Sequence, residues 1–477
     1  MIAWWMAVPF VVMLLAIAIA PLVRVTRRWW EKPGHQLLVA LVLSAPVGVT
    51  LVVMGHSLSV VHAMVEYGQF IVMLFGLFVV AGGIAVTGNL AGTPKTNTLI
   101  LAVGACLASL IGTTGAAMLL IRVLLISNRG RSHRTHTVVF AIFVMANCGG
   151  LLTPLGDPPL FLGMLRGVPF TWTLGLWPQW LFVNALLLIT YYCVDCALSN
   201  SPDHTGDPGQ TDAVDGPATT RLVGIAGLPN IVWFAVIIAA VAVVPSVGAP
   251  GISGWAGFVP WREFCILAAA GLSWITSRKR VRFTINHFSF APIKEVAAVF
   301  VGIFMTMVPA LLLLDEHAGS LRLNTVSLHL LTGGLSSILD NAPTYATFFE
   351  VAQSSASAGV TLVAGVPEAL LVALSTGAVF WGAMTYIGNG PNFLVRSVAV
   401  HQGVPMPSFL GYIGWSARWL LPVLLSYTLV FLADPWWARL VGLLLTASVL
   451  VRAVLTWRRS RWIRLPGFLQ PPAAGDI

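Results

Sequence analysis

Residues 147–159 read Asn147-Cys148-Gly149-Gly150-Leu151-Leu152-Thr153-Pro154-Leu155-Gly156-Asp157-Pro158-Pro159, and they interrupt an apolar run, 137–165, that would otherwise make one long membrane helix. Pro158 and Pro159 remove backbone donors and clash with the preceding turn, while the glycines permit an unwound backbone. Unwound backbone at membrane depth is tolerated only where it lines a cavity or is buried in protein. The break also carries Asp157, although a charge at a helix centre costs about 2.5–3.5 kcal/mol on insertion scales. A second break follows the same pattern: Gly388-Asn389-Gly390-Pro391-Asn392-Phe393-Leu394 aligns with Gly156-Asp157-Pro158-Pro159-Leu160-Phe161-Leu162, and Val404-Pro405 with Val168-Pro169.

The composition around these breaks excludes a soluble enzyme. Charged residues are 9% of the 477 and hydrophobic residues 57%, against roughly 25% charged in soluble domains. At about 20 residues per crossing, apolar spans fall at 2–22, 36–55, 67–88, 137–165, 170–197, 223–245, 261–277, 292–314, 366–395, 409–432 and 436–457. The expected fold class is therefore an all-α polytopic membrane protein with about 11 transmembrane helices. The first residues carry too little charge for a removed signal peptide. The five cysteines include the Cys193-x-x-Cys196 pair on an apolar helix, without the second pair a metal site would need.

A net charge of +9 would suggest nucleic acid in a soluble chain, but the basic residues lie in short clusters between apolar runs. The clusters are Arg24, Arg27, Arg28 and Lys32; Arg129, Arg131 and Arg134; Arg278, Lys279, Arg280 and Arg282; and Arg458, Arg459, Arg461 and Arg464. Such clusters mark the cytoplasmic side, so they read as the topology of a multi-pass protein of the inner (plasma) membrane and not as a nucleic-acid surface.

With all four clusters inside, stretch 98–127 must enter and leave on one side, as a re-entrant hairpin with two arms of about 14 residues, each rising about 21 Å. Its tip is Gly112-Thr113-Thr114-Gly115. Stretch 326–353 becomes a hairpin from the opposite side, with Leu339-Asp340-Asn341-Ala342-Pro343 at its tip. Phe75-Gly76-Leu77-Phe78 and Val301-Gly302-Ile303-Phe304 each open the same series of helix, hairpin, broken helix and helix. The expected organisation is N-terminal helices 1–66; a first repeat 67–198 with hairpin 98–127 and broken helix 137–165; an acidic cytoplasmic linker 199–222; and connecting helices 223–291. An inverted second repeat follows at 292–432, with hairpin 326–353 and broken helix 366–395, and then a last helix and basic tail at 433–477. Two broken helices and two opposed hairpins meeting at the midplane are the arrangement of a secondary transporter.

The run Asn147 to Pro159 resembles the N-x-G-G-x-x-x-P-x-G-D motif of the ion transporter superfamily, and Ser336-Ser337-Ile338-Leu339-Asp340-Asn341-Ala342-Pro343 resembles its S-x-x-x-D-N-x-P hairpin motif. That superfamily includes NhaD-type sodium/proton antiporters, arsenite exporters, and citrate and dicarboxylate transporters. The resemblance extends over about residues 40 to 432, and related folds form homodimers. The tips here differ from the Ser-Asn-Thr triplets with which the dicarboxylate branch holds substrate carboxylates, and the arsenite branch shares Gly-Asp-Pro-Pro.

The leading expectation is a sodium or other monovalent cation/proton antiporter working by alternating access, with an organic-anion (citrate or dicarboxylate) transporter or an arsenite exporter as alternatives. Asp157 and Asp340 are the carboxylates that would hold either a proton or sodium. Thr113, Thr114, Thr153, Asn341, Thr344, Asn389 and Asn392, with Asn147, are the neutral residues expected around them. A simpler role for both aspartates is capping the helix that follows. Arg122, in an apolar arm, is a candidate charge partner or anion contact. Lys294, Glu295, Asp195 and Glu368 are expected near the surface, and His56, His62, His317 and His329 in or near outer loops. No catalytic motif or nucleotide-binding domain is visible, so neither an enzyme nor a resident cofactor is expected; the sodium ion and the proton would be cargo.

Overall fold

The computed structural model describes residues 3–20, 23–30, 32–87, 90–199, 224–247, 259–286, 288–317, 323–355 and 359–458. The expected linker 199–222, beyond Ser199, and the basic tail from Arg459 onward lie outside these residues. The described chain is almost entirely helical. Its exceptions are two small antiparallel ladders, Ala85–Thr87 with Gly224–Ala226 and Leu362–Val363 with Val366–Pro367. The second closes through Ala364 and Gly365, both at positive φ, as a two-residue hairpin turn requires.

The N-terminal third supplies α1 (Val8–Ile19), α2 (Arg24–Trp30), α3 (Pro33–Val53) and α4 (Ser57–Ala81). Helix α4 begins ten residues before the expected span at 67 and takes in His62 and Glu66, which lie 3.3 Å apart. A helical pair follows, α5 (Pro94–Ile111) and α6 (Thr113–Ser127), and then α7 (Thr135–Val144), a short 3-10 turn Cys148–Leu152, and α8 (Pro158–Leu165). The chain continues through α9 (Trp177–Ser199), α10 (Pro229–Val243), α11 (Trp261–Thr276) and α12 (Ala291–His317). A second pair, α13 (Thr325–Ile338) and α14 (Asn341–Ser354), precedes α15 (Glu368–Trp381), a 3-10 turn Gly382–Met384 and α16 (Gly390–His401). Last come α17 (Phe409–Trp419), α18 (Leu421–Tyr427) and α19 (Trp436–Arg458).

Among the described residues, seven helices are long and apolar enough to cross a membrane, or eight if the pair 409–432, bent by 43°, counts as one span. This is an all-α, multi-pass membrane protein. Exposed Trp, Leu and Val side chains, among them Trp436 at 77% and Leu444 at 62%, suit lipid in place of water. Helix α5 has 18 residues and is one of the seven, longer than the arm of about 14 expected from equal division of the stretch. The turn falls at Gly112, early in the expected tip, because φ +80° and ψ 149° there belong to backbone space reserved essentially for glycine.

Two apolar cores divide the helices. One joins α5, α7, α9, α15, α17 and α18. The other joins α3, α4, α10, α11 and α12 with the outward faces of α8 and α14. Serines and threonines stitch each helical pair to its adjoining broken helix. Ser109 donates to Gly149 O at 2.5 Å, and Thr153 donates to Ser109 O. Ser336 donates to Ala378 O at 2.7 Å, and Thr385 to Ser337 O at 2.5 Å.

Candidate functional site

Both breaks occur where the sequence places its prolines and glycines. Helix α7 stops at Val144 and α8 restarts at Pro158; α15 stops at Trp381 and α16 restarts at Gly390. The two unwound segments meet through Asn389 Nδ2, which donates to Ala146 O at 3.2 Å, and within the second a β-carbon at Gly388 would lie 2.6 Å from Gly382 O and 2.7 Å from Ser336 O of α13. Only glycine fits there.

Asp157 is 1% exposed and sits where three separate elements supply donors. Thr113 Oγ1, at the start of α6, donates at 3.0 Å; Asn389 Nδ2, just before α16, at 3.0 Å; and Asn341 Nδ2, the first residue of α14, at 2.5 Å. The backbone reinforces the junction through a bond from Thr113 N to Gly156 O at 2.8 Å. Asp157 occupies the N-cap position of α8, yet its side chain makes no capping bond: Pro159 has no N–H to offer, and Leu160 N donates instead to Asp157 O at 3.1 Å. Its carboxylate is therefore directed at the three neighbours, and capping does not account for it.

An amide ladder backs this carboxylate. Asn389 Nδ2 also reaches Asn147 Oδ1 at 3.2 Å, and Asn147 Nδ2 donates to Asn392 Oδ1 at 2.7 Å. Asn392 in turn donates to Gly382 O at 2.8 Å and Thr385 O at 2.9 Å, satisfying carbonyls that the broken helix frees. Asn341 Oδ1 is buried without a hydrogen-bond partner among the described residues.

The other expected residues divide. Asp340 caps α14 through Ala342 N at 3.4 Å and also lines a cavity. Thr114 and Arg122 line the same cavity on α6. Thr153 and Thr344 are buried, with hydroxyls donating to backbone, Thr344 to Asp340 O at 3.1 Å. The cavity, about 370 Å³, lies between α4 and α12 on one side and α6 and α16 on the other, with Glu295, Asn286 and Ser289 among its wall residues. Four helices, α6, α8, α14 and α16, begin at or beside it, with Thr113, Pro158, Asp340 and Gly390 all in its wall.

Two sequence expectations are corrected. Asp195 is fully buried, not near the surface: Arg131 Nη2 at 2.5 Å, His136 Nε2 at 2.8 Å and Asn97 Nδ2 at 3.0 Å surround it. This cluster ties α5, α7 and α9 together at the basic face. His329 is not in a loop but 0% exposed within α13, where it accepts from Trp381 Nε1 at 3.0 Å. Their sequence neighbours are apolar, so only their distant partners could reveal both positions. Lys294, Glu295 and Glu368 stay at the surface or part-exposed, as expected.

Sequence comparison matches residues 1–432 to a family described as "putative citrate transport". Comparison with curated proteins gives no match. A match over most of the chain, together with helices broken around a buried carboxylate, makes this protein a member of that citrate transport family of membrane transporters.

Proposed function

We propose that the protein is a secondary transporter for a small citrate-like anion, coupled to a cation or proton held at Asp157. The observation that carries this reading is the convergence of four helix N-termini on one cavity that also contains Arg122. Each helix start presents roughly half a positive charge, and broken helices in transporters direct such ends at anionic substrate groups. Thr114, Gly115 and Gly390 open their helices at the cavity wall, and their N–H groups have no acceptor in the preceding turn.

Asp157 supplies the coupling. Thr113, Asn341 and Asn389 orient both carboxylate oxygens; the unpartnered Asn341 Oδ1 beside them offers a neutral oxygen of the kind a hard cation requires. A cation or a proton, but not both, would neutralise the carboxylate as the substrate binds. The likeness of the two hairpin-plus-broken-helix units supports an inverted repeat. Helix α8 ends where Arg166 approaches Glu66, whereas α16 is followed by Gly403, whose carbonyl accepts from Arg134 of a basic cluster at 3.2 Å; these opposed directions support the inverted arrangement.

Cation/proton antiport is the second reading. Asp340 beside the cavity favours it, since a second carboxylate at a hairpin tip repels an anion, and the tips lack the Ser-Asn-Thr triplets. Arsenite export rests on the Gly-Asp-Pro-Pro run alone. Inverted vesicles containing a pH-sensitive dye, challenged in turn with sodium, lithium, potassium and citrate, separate these readings. Labelled citrate uptake that depends on an imposed sodium or proton gradient, and is lost in Asp157→Asn, is the expected outcome. A dye response to sodium without any citrate uptake overturns the anion reading in favour of antiport.

A further inference from the structure

The cavity lining ends at an aromatic cluster. Its α4 wall runs from Ala81 and Gly82 back to Phe70 and stops there. The Ala81 end of α4 lies at the basic face, where Arg282 donates to Val79 O at 2.6 Å. Phe70 is therefore the deep end. It stacks on Phe300 of α12, also in the wall, at 5.0 Å and meets Phe161 of α8, behind the wall, at 6.5 Å, so rings of α4, α8 and α12 pack together at this end.

One helical turn beyond Phe70, toward the face opposite the basic clusters, stands Glu66, which is 7% exposed. Arg166, immediately after α8, approaches Glu66 Oε1 at 3.9 Å and binds Glu350 Oε1 of α14 at 3.1 Å. It also donates to Ala346 O at 2.7 Å and lies 5.5 Å above the Phe349 ring. His62 Nε2, itself exposed, lies 3.3 Å from Glu66 on the outer side. The bridge thus joins α4, which forms the far wall of the cavity, to α8 and α14, which both start at Asp157 and its partners.

We propose that Glu66, Arg166 and Glu350, above the Phe70–Phe161–Phe300 layer, form the outer gate of the transport pathway. Their contact is what α8 and α14 must break from α4 for the site to open away from the cytoplasm. This inference rests on the transport reading. Motion of α8 and α14 would expose the Asp157 donors outward, while α6 and α16 would close on α4 and α12 from the inner side. An ion pair suits such a contact, because a partly buried charge pair holds in one geometry and is re-solvated when separated, whereas an aromatic layer alone would favour one state.

The test uses an impermeant maleimide on membrane vesicles of either orientation, with the parent chain as background. Ala346→Cys, beneath Arg166, reports the outer seal, and Met118→Cys, in the cavity wall on α6, reports the inner opening. With Glu66→Gln added, labelling of the Ala346→Cys chain from outside should rise about fivefold or more, and labelling of the Met118→Cys chain from inside should fall correspondingly. Glu66→Asp should retain the parent pattern. Should Glu66→Gln fail to reach the membrane, Arg166→Gln, which breaks the same contact with α4, gives the same reading. Unchanged outer labelling, or increased outer labelling with no inner decrease, overturns the gate, the latter because local loosening alone would produce it. Uptake measured on the same vesicles keeps the two ideas apart: absence of transport in the parent chain counts against the transport reading, whereas transport without a labelling shift counts against the gate.

Discussion

Asp157 draws its character from what its own helix withholds. An aspartate before a helix ordinarily accepts from the second or third backbone N–H, but the second belongs to Pro159 and the third, of Leu160, donates to Asp157 O, leaving both carboxylate oxygens for side chains from α6, α14 and the turn before α16. Asn389 is the most connected of the donors, reaching Asp157, Asn147 and Ala146 O. Replacing it with Ala removes a buried donor to a carboxylate, and a loss of about 1–3 kcal/mol is expected for such an unpaired group. Sodium- or proton-dependent uptake in Asn389→Ala should therefore require a higher ion concentration for half-maximal rate, with maximal rate less affected. An unchanged ion dependence would show that Asn389 only fills space. Asp157, Asn147, Asn389 and Asn392 were all legible in the sequence, since a bilayer seldom tolerates polar side chains inside an apolar run unless the helix breaks there around a site. Glu66 and Arg166 were not legible, because one falls just before the expected span 67–88 and the other just after 137–165, where a charge ordinarily reaches solvent.

Proline, glycine and hydroxyl side chains determine the shape of the elements. The α5–α6 pair turns at Gly112 with φ +80°, a conformation that costs other residues about 1–3 kcal/mol. Gly112→Ala should lower stability in detergent by that amount, read as a shift in the thermal unfolding midpoint; no shift would mean that the tip relaxes. Expected spans and observed helices agree closely wherever apolar length alone decides, as for Ala291–His317 and Trp436–Arg458. They diverge where a polar residue is partnered from afar: α4 takes in Glu66, which Arg166 approaches, and α5 extends back to Pro94, with Asn97 donating to Asn128 Oδ1 at 2.9 Å and Asp195 Oδ2 at 3.0 Å.

Over the whole molecule, the Arg131 and Arg282 clusters mark one face. Arg131 binds Asp195 near the end of α9 and reaches Gly92 O at 3.3 Å just before α5, while Arg282 closes the end of α4. Short Lys/Arg-rich loops stay cytoplasmic, so the cavity, bordered on this side by Asn286, Ser289 and Glu295, is expected to open inward. A protease site introduced between residues 203 and 215 should accordingly be cut in inverted vesicles and protected in right-side-out vesicles. The reverse pattern would invert the assignment of both the cavity mouth and the gate.

Composition and period alone determined that this chain lives in a membrane, where its helices break and which carboxylate lies in the break, because a bilayer penalises charge and unpaired backbone strongly enough to leave their exceptions visible in one dimension. Tertiary structure alone decided which groups meet. Asp157 finds donors from three elements far apart in sequence, Asp195 is buried by Arg131 and His136, and Glu66 joins Arg166 and Glu350. The physical reason is that helix formation and membrane insertion depend on local composition, whereas the fate of a buried charge depends on partners that only packing brings within reach.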